Sequence, residues 1–234
     1  MTEPGLRRSG RAAVAAVCVL VFASSAGLAK IDTPYHYLDS SGIDLVDLLA
    51  PPPDSGSPTE QQDEKKVACA VAERTAVQLR NALDESKRSV LFFAPSLGTR
   101  FAPERLPLFA AFFARVESDV EKLVDAAKVH WQRPRPPYSP EKNGSYPSGH
   151  AAFAASTAII LSEMVPEKRD AIFTQARLFA ENRIILAVHY PSDISAGWIA
   201  GTLAVAAMMR DKRYQRDFAG AKAELRRQLA VRLP

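Results

Sequence analysis

The sequence predicts an all-α fold, a single helical bundle with a proline-rich irregular N-terminal arm. Three observations lead there. Apolar residues recur at helical spacing from about Asp63 onward. Sustained period-two alternation bounded by turns is absent. The run Pro51-Pro52-Pro53 bars regular structure ahead of the first helix. A length of 234 residues suits one substantial core, and 47% hydrophobic with 24% charged residues is the balance of a globular protein.

The first segment reads as an export signal, which sets residues 1–29 apart from a domain over 30–234. Arg7, Arg8 and Arg11 form a positive start, Ala12 to Ala23 is apolar and uncharged, and small residues run from Ser24 to Ala29. The apolar run is shorter than the ~20 residues that span a bilayer. Removing this segment takes away three arginines and Glu3, lowering the formal charge from +4 to +2. No basic stripe remains for nucleic acid. The expected location is periplasmic or secreted. Cys18 leaves with the signal, so Cys69 has no partner for an internal disulfide. Its setting, Val67-Ala68-Cys69-Ala70-Val71, suggests an inert buried thiol.

Residues 30–64 form the irregular arm. Helical stretches are then expected over 63–86, on Val67, Val71, Val77 and Leu79, and over 104–130, on Leu108, Phe112, Phe113, Val116, Val120, Leu123 and Val124. A proline- and tyrosine-rich loop covers 132–147. Further helices are expected near 148–164, 167–187 and 192–210, followed by a charged tail from about Tyr214. Ala151–Leu161 and Ile194–Met209 are apolar, but polar interruptions and charged flanks mark them as core helices. No membrane span is expected in the mature chain.

Three segments carry chemistry. Ser148-Gly149-His150 precedes an apolar helix, whose unpaired N–H groups and macrodipole make a seat for phosphate oxygens. Gly149 allows close backbone approach, and Ser148 adds a hydroxyl. His189 stands four residues ahead of Asp193 with Pro191 between. A carboxylate in the first turn of the helix can fix one imidazole nitrogen and leave the other as a nucleophile. Lys128, Arg135 and Arg183 are the third element. Cations gathered at ~4 Å repel by about 4 kcal/mol per pair at an effective dielectric near 20, so their convergence calls for an anion. Each segment alone also has an ordinary reading: a capping serine, a capping aspartate with a satisfied histidine, and solvated surface cations.

In this order, Lys-x6-Arg-Pro, Pro-Ser-Gly-His and Arg-x5-His-x3-Asp resemble the signature of the phosphatidic acid phosphatase type 2 superfamily. Within it the chain resembles the class A bacterial non-specific acid phosphatases, through Leu48–Pro53 with Gly56-Ser57 in the arm and Gly144–His150 in the central loop. The resemblance implies hydrolysis of phosphate monoesters, with phosphotransfer as a possible side activity, and no metal or other cofactor. His189 is implied as nucleophile, Asp193 as its orienting carboxylate and His150 as acid and base. Lys128, Arg135, Ser148, Gly149 and Arg183 are implied to bind the phosphoryl oxygens. Asn182 departs from the serine usual before the third arginine, and the stretch between Pro136 and Pro147 is short for the family. His36 and His130 have no role in this scheme. The alternatives are a vanadate-dependent haloperoxidase-like enzyme and a non-catalytic phosphate-binding protein. Homo-oligomerisation stays open. An acidic optimum is expected if His150 lies nearer solvent than His189 and limits the rate on the alkaline side.

Overall fold

The structure is a computed structural model that describes Met1 and residues 34–38 and 42–231. The export-signal reading falls outside the described residues. All regular structure among the described residues is helical, as expected. The helices are α1 (Leu45–Leu48), α2 (Pro58–Glu73), α3 (Ala76–Asp84), α4 (Ala94–Leu97), α5 (Pro107–Trp131), α6 (Gly149–Met164), α7 (Arg169–Ile185), α8 (Pro191–Met208) and α9 (Lys212–Leu229). None of them is long and apolar enough by itself to cross a membrane.

Helix α6 is the axis of the bundle, packed against α8, α7 and α5. Its Ala151, Ala152, Phe153, Ala154, Ala155, Ala158, Ile160, Leu161 and Met164 are all buried, as befits a helix apolar on every side. The closest approach is to α8, where an added Cβ on Gly197 would lie 2.5 Å from Ser148 O and one on Gly201 2.3 Å from Ala152 O. Those glycines bring the starts of α6 and α8 side by side, and the Ser148 N–H donates to Asp193 O at 3.0 Å.

Helix α5 carries the amphipathic pattern read from the sequence, burying Phe109, Phe112, Phe113, Val116, Val120, Leu123 and Val124. Leu108 of the same pattern is exposed. The arm is anchored on α5 by Asp119, whose buried carboxylate accepts from the backbone N–H groups of His36, Tyr37 and Leu38. Tyr146 Oη secures the proline run by donating to Ala50 O at 2.6 Å.

Four expectations are corrected. The arm ends at Ser57, which caps α2 by accepting from the Glu60 N–H, with Pro58 in the first helical turn. The stretch 63–86 is two helices, because Arg74 and Thr75 are extended and Thr75 opens α3 with a capping box to Gln78. Cys69 is exposed and Val77 points outward, whereas Val67 is buried. The tail is helical: α9 buries Tyr214, Ala221, Leu225 and Leu229, and packs on α5. Arginines and lysines between those positions hid this stripe in the sequence.

The α6–α8 contact yields a prediction. Gly201→Ala forces a methyl against Ala152 O and should destabilise the fold by about 1–3 kcal/mol. For a chain of this size that lowers Tm by roughly 2–4 °C per kcal/mol. An unchanged thermal melt would mean that the helices sit further apart.

Candidate active site

The starts of α6 and α8 meet the ends of α5 and α7, and the chemical groups collect there. Pro191 begins α8, so Asp193 stands in its first turn. Helix α7 ends at Ile185, and the chain turns back through Ala187 at φ 55°, with the Val188 N–H donating to Arg183 O. This tight return brings Arg183 and His189 to the same end of the bundle.

His189 is buried and contacted at both ring nitrogens. Asp193 Oδ2 lies 3.3 Å from Nδ1, and Arg135 Nη1 lies 3.0 Å from Nε2. A guanidinium has no acceptor, so Nε2 must present its lone pair, and the proton resides on Nδ1, facing Asp193. This is the tautomer a nitrogen nucleophile needs. Burial lowers the His189 pKa to about 4, helped by Lys128 and Arg135 and opposed by Asp193.

Asp193 is held from several directions. Oδ2 also accepts from the Tyr190 N–H at 2.9 Å, while Oδ1 accepts from Arg133 Nη1 at 2.6 Å and from Ser145 Oγ at 3.4 Å. Burial by itself would raise its pKa, yet the His189 hydrogen bond and the Arg133 charge keep the carboxyl below the usual range. Arg133 in turn donates to Asp63 at 3.0 Å and to Ser192 Oγ at 2.7 Å, and its guanidinium lies 4.3 Å from the centre of the Tyr190 ring. Asp63 also accepts from the backbone N–H and hydroxyl of Ser192.

Lys128 Nζ donates to Gly144 O at 2.6 Å, and burial with the nearby Arg135 charge lowers its pKa to about 8. Arg135 binds Val188 O, Asn143 and the Glu141 carboxylate besides His189. Ser148 caps α6, accepting from the Ala151 N–H, so its ordinary capping role is present too. Gly149 opens that helix, and a Cβ there would come 3.4 Å from Arg88 Nη1. Arg183 is buried, with Nη2 donating to Ala82 O and Glu85 O, and its Nε has no acceptor among the described residues. Asn182 bonds to Glu85 Oε2 at 2.6 Å, so it docks the end of α3 and does not touch the reacting groups.

His150 alters the expected origin of the alkaline limb through its pKa. Its Nε2 lies 2.9 Å from Ser86 O, and a carbonyl only accepts, so Nε2 carries the proton. Burial, then Arg183, Arg88 and His189, lower its pKa to about 2 against the opposing pull of Ser86 O. It is half-buried where His189 is buried, so it lies nearer solvent as expected, yet its pKa is the more strongly depressed of the two.

Lys128, Arg135, His189 and Asp193 thus form a contacting or electrostatically coupled set, Ser148 joins it through the Asp193 backbone, and Arg183 acts with His189 on His150. Arg133, Asp63, Ser145, Ser192 and Arg88 were missed in the sequence. Arg133 stands two residues before Arg135 in Arg133-Pro134-Arg135-Pro136, but spacing from Lys128 singles out Arg135. Among the described residues, no three His, Cys, Asp or Glu side chains gather to hold a metal.

Comparison with known proteins now decides the family. The PAP2 superfamily pattern matches residues 108–217, the segment that contains every residue singled out from the three motifs. An acid phosphatase from Zymomonas mobilis subsp. mobilis is 32% identical over 209 residues, covering 82% of this chain and 77% of its own. This chain belongs to the acid phosphatases of the PAP2 superfamily. Non-specific acid phosphatases from Salmonella typhimurium and Providencia stuartii are 27% and 28% identical, covering 82% and 81% of this chain and 84% of each of theirs. A solved transmembrane PAP2 type phosphatidylglycerolphosphate phosphatase from Bacillus subtilis is similar over 66% of this chain and 86% of its own, at 21% identity and a TM-score of 0.49. That likeness is too distant to bear on function.

The histidines link this PAP2 site to stability. Both hold protons less readily when folded than in the unfolded chain, where imidazole titrates near about 6.5. The unfolded chain therefore binds more protons in acid, and stability falls as pH drops from about 6.5 through about 4 for His189 and onward for His150. Tm measured from pH 7 to pH 4 should fall, and His150→Gln should flatten that fall. The same slope in the variant would place the titration elsewhere.

Proposed function

We propose that this acid phosphatase hydrolyses phosphate monoesters through a phosphohistidine intermediate on His189, exported to the periplasm or secreted after cleavage of residues 1–29. The observation that carries the mechanism is the placement of His189 between Asp193 and Arg135, which leaves Nε2 as a lone pair beside a phosphate-seeking guanidinium. Export is supported by the three-part pattern of residues 1–29.

As a phosphoryl group enters, Arg135 turns its N–H groups to the phosphate oxygens and frees Nε2. Lys128, Arg183, Ser148 and the Gly149 N–H complete the seat, and the unmet Arg183 Nε–H is a donor in search of such an oxygen. His189 Nε2 attacks phosphorus, a P–N bond forms and the P–O ester bond breaks, with its electron pair leaving on the alkoxide. His150 gives the alkoxide a proton. Asp193 stabilises the positive ring through Nδ1–H. Water then attacks phosphorus, His150 takes its proton, the P–N bond breaks, and orthophosphate leaves with the Nε2 lone pair restored.

The low His150 pKa requires that the ring charge as substrate binds. A bound phosphoryl group brings negative charge that opposes Arg183 and Arg88, which raises His150 and lets it accept a proton carried in by the substrate monoanion. The acidic optimum then follows from the substrate's ionisation near about 6 and from His150 in the complex.

Hydrolysis of a chromogenic phosphomonoester by the mature protein tests the reading. The wild type should turn over before and after dialysis against a strong chelator, and His189→Ala should lose turnover while keeping its helical circular dichroism. Activity retained in His189→Ala, or lost to the chelator and restored by Mg²⁺ or Zn²⁺, would overturn it.

A further inference from the structure

Three cations crowd one pocket, and such a set needs a counter-charge even when no substrate is bound. The chain supplies one. Glu141 lies on the loop between α5 and α6, and its Oε2 stands 2.5 Å from Arg135 Nη2. Its charge acts on Lys128 and Arg183 as well as on Arg135. The other acidic groups divide these cations between them: Asp193 acts on Lys128 and Arg135, Asp125 on Lys128, and Glu85 on Arg183.

The loop is shaped to place that carboxylate. The Ser139 N–H donates to Pro136 O, the Glu141 N–H to Ser139 Oγ at 3.2 Å, and Arg135 clasps Asn143 through both its carbonyl and side-chain oxygens. The Arg135 side chain is 6% exposed and that of Glu141 39% exposed, so the carboxylate approaches the guanidinium from the solvent side. A carboxylate offers a guanidinium the same pair of acceptor oxygens as a phosphoryl group.

Building on the phosphate seat proposed above, we infer that Glu141 is a specificity-determining residue, a built-in anion that occupies the Arg135 side of the seat and that an incoming phosphoryl group must displace. Displacement favours ligands with several free anionic oxygens. A phosphate monoester can satisfy Arg135, Lys128 and Arg183 together, whereas a diester or a sulfate monoester offers less charge for the same exchange. Glu141 therefore raises the affinity threshold for every anion and penalises the weaker ones most.

The test is binding of inorganic phosphate to the whole protein by calorimetry, in the wild type, in Glu141→Gln and in both again on an Arg135→Ala background. Glu141→Gln should tighten phosphate by roughly fivefold, the scale of a half-exposed ion pair. The gain should shrink at high salt and shrink again on the Arg135→Ala background, where only the action of Glu141 on Lys128 and Arg183 remains. Unchanged or weaker phosphate binding in Glu141→Gln overturns the inference, because Glu141 would then be neutral or would orient Arg135 for the ligand. A gain undiminished on the Arg135→Ala background also overturns it. Turnover of the chromogenic ester separates this from the broader reading. If the wild type hydrolyses nothing while phosphate still tightens in Glu141→Gln, the phosphatase mechanism fails and the competing carboxylate stands.

Discussion

The site hangs on the buried carboxylate of Asp193. One of its oxygens takes the His189 Nδ1–H and the Tyr190 N–H, and the other takes Arg133 and Ser145. Its backbone carbonyl receives the Ser148 N–H, which fixes the start of α6 beside the start of α8. A carboxylate buried without such partners would protonate and release the imidazole. The His189 hydrogen bond and the Arg133 charge keep it ionised, and Asp63 and Ser192 hold Arg133 in turn. Removing one member of such a buried pair leaves the other charge uncompensated, at a cost of about 3–5 kcal/mol. The His189 imidazole is thus oriented by a chain of ionic contacts that runs from α2 through the loop after α5 to α8.

Two opposing effects meet at His189, and their balance sets its protonation. Asp193 favours the charged ring, whereas burial and the cations favour the neutral one, and burial is the larger. The result is a histidine that keeps a free nitrogen in mild acid, where an exposed imidazole would be protonated. The same physics acts more strongly on His150 and removes the proton expected of a general acid. In the proposed mechanism the substrate's own negative charge must therefore restore the His150 proton.

Much of this was legible in the sequence. The helix starts at Gly149 and Pro191 followed from Ser148 as a cap and Pro191 as a first-turn residue, and the coupling of His189 to Asp193 followed from their spacing. The helical class followed from the apolar period. What escaped was whatever depends on residues far apart in the chain. Asp63 reaches the site across 130 residues through Arg133, and no local pattern marks it. The depth of His150 depends on α7 and the 85–89 loop packing over it, through Phe179 and Ser86. Glu141 reads as one more loop charge until the fold folds it back onto Arg135. The α9 stripe was hidden because its charged residues outnumber its buried ones.

In the proposed mechanism Asp193 and Arg135 together leave His189 Nε2, and no other atom, to attack phosphorus. This is tested most directly by trapping the intermediate. Labelled substrate quenched rapidly in alkali, followed by digestion and separation of the phosphohistidine isomers, locates both the residue and the nitrogen. Label is expected on His189 as the Nε2-phospho isomer. The Nδ1 isomer, or label on His150 or Ser148, would contradict it.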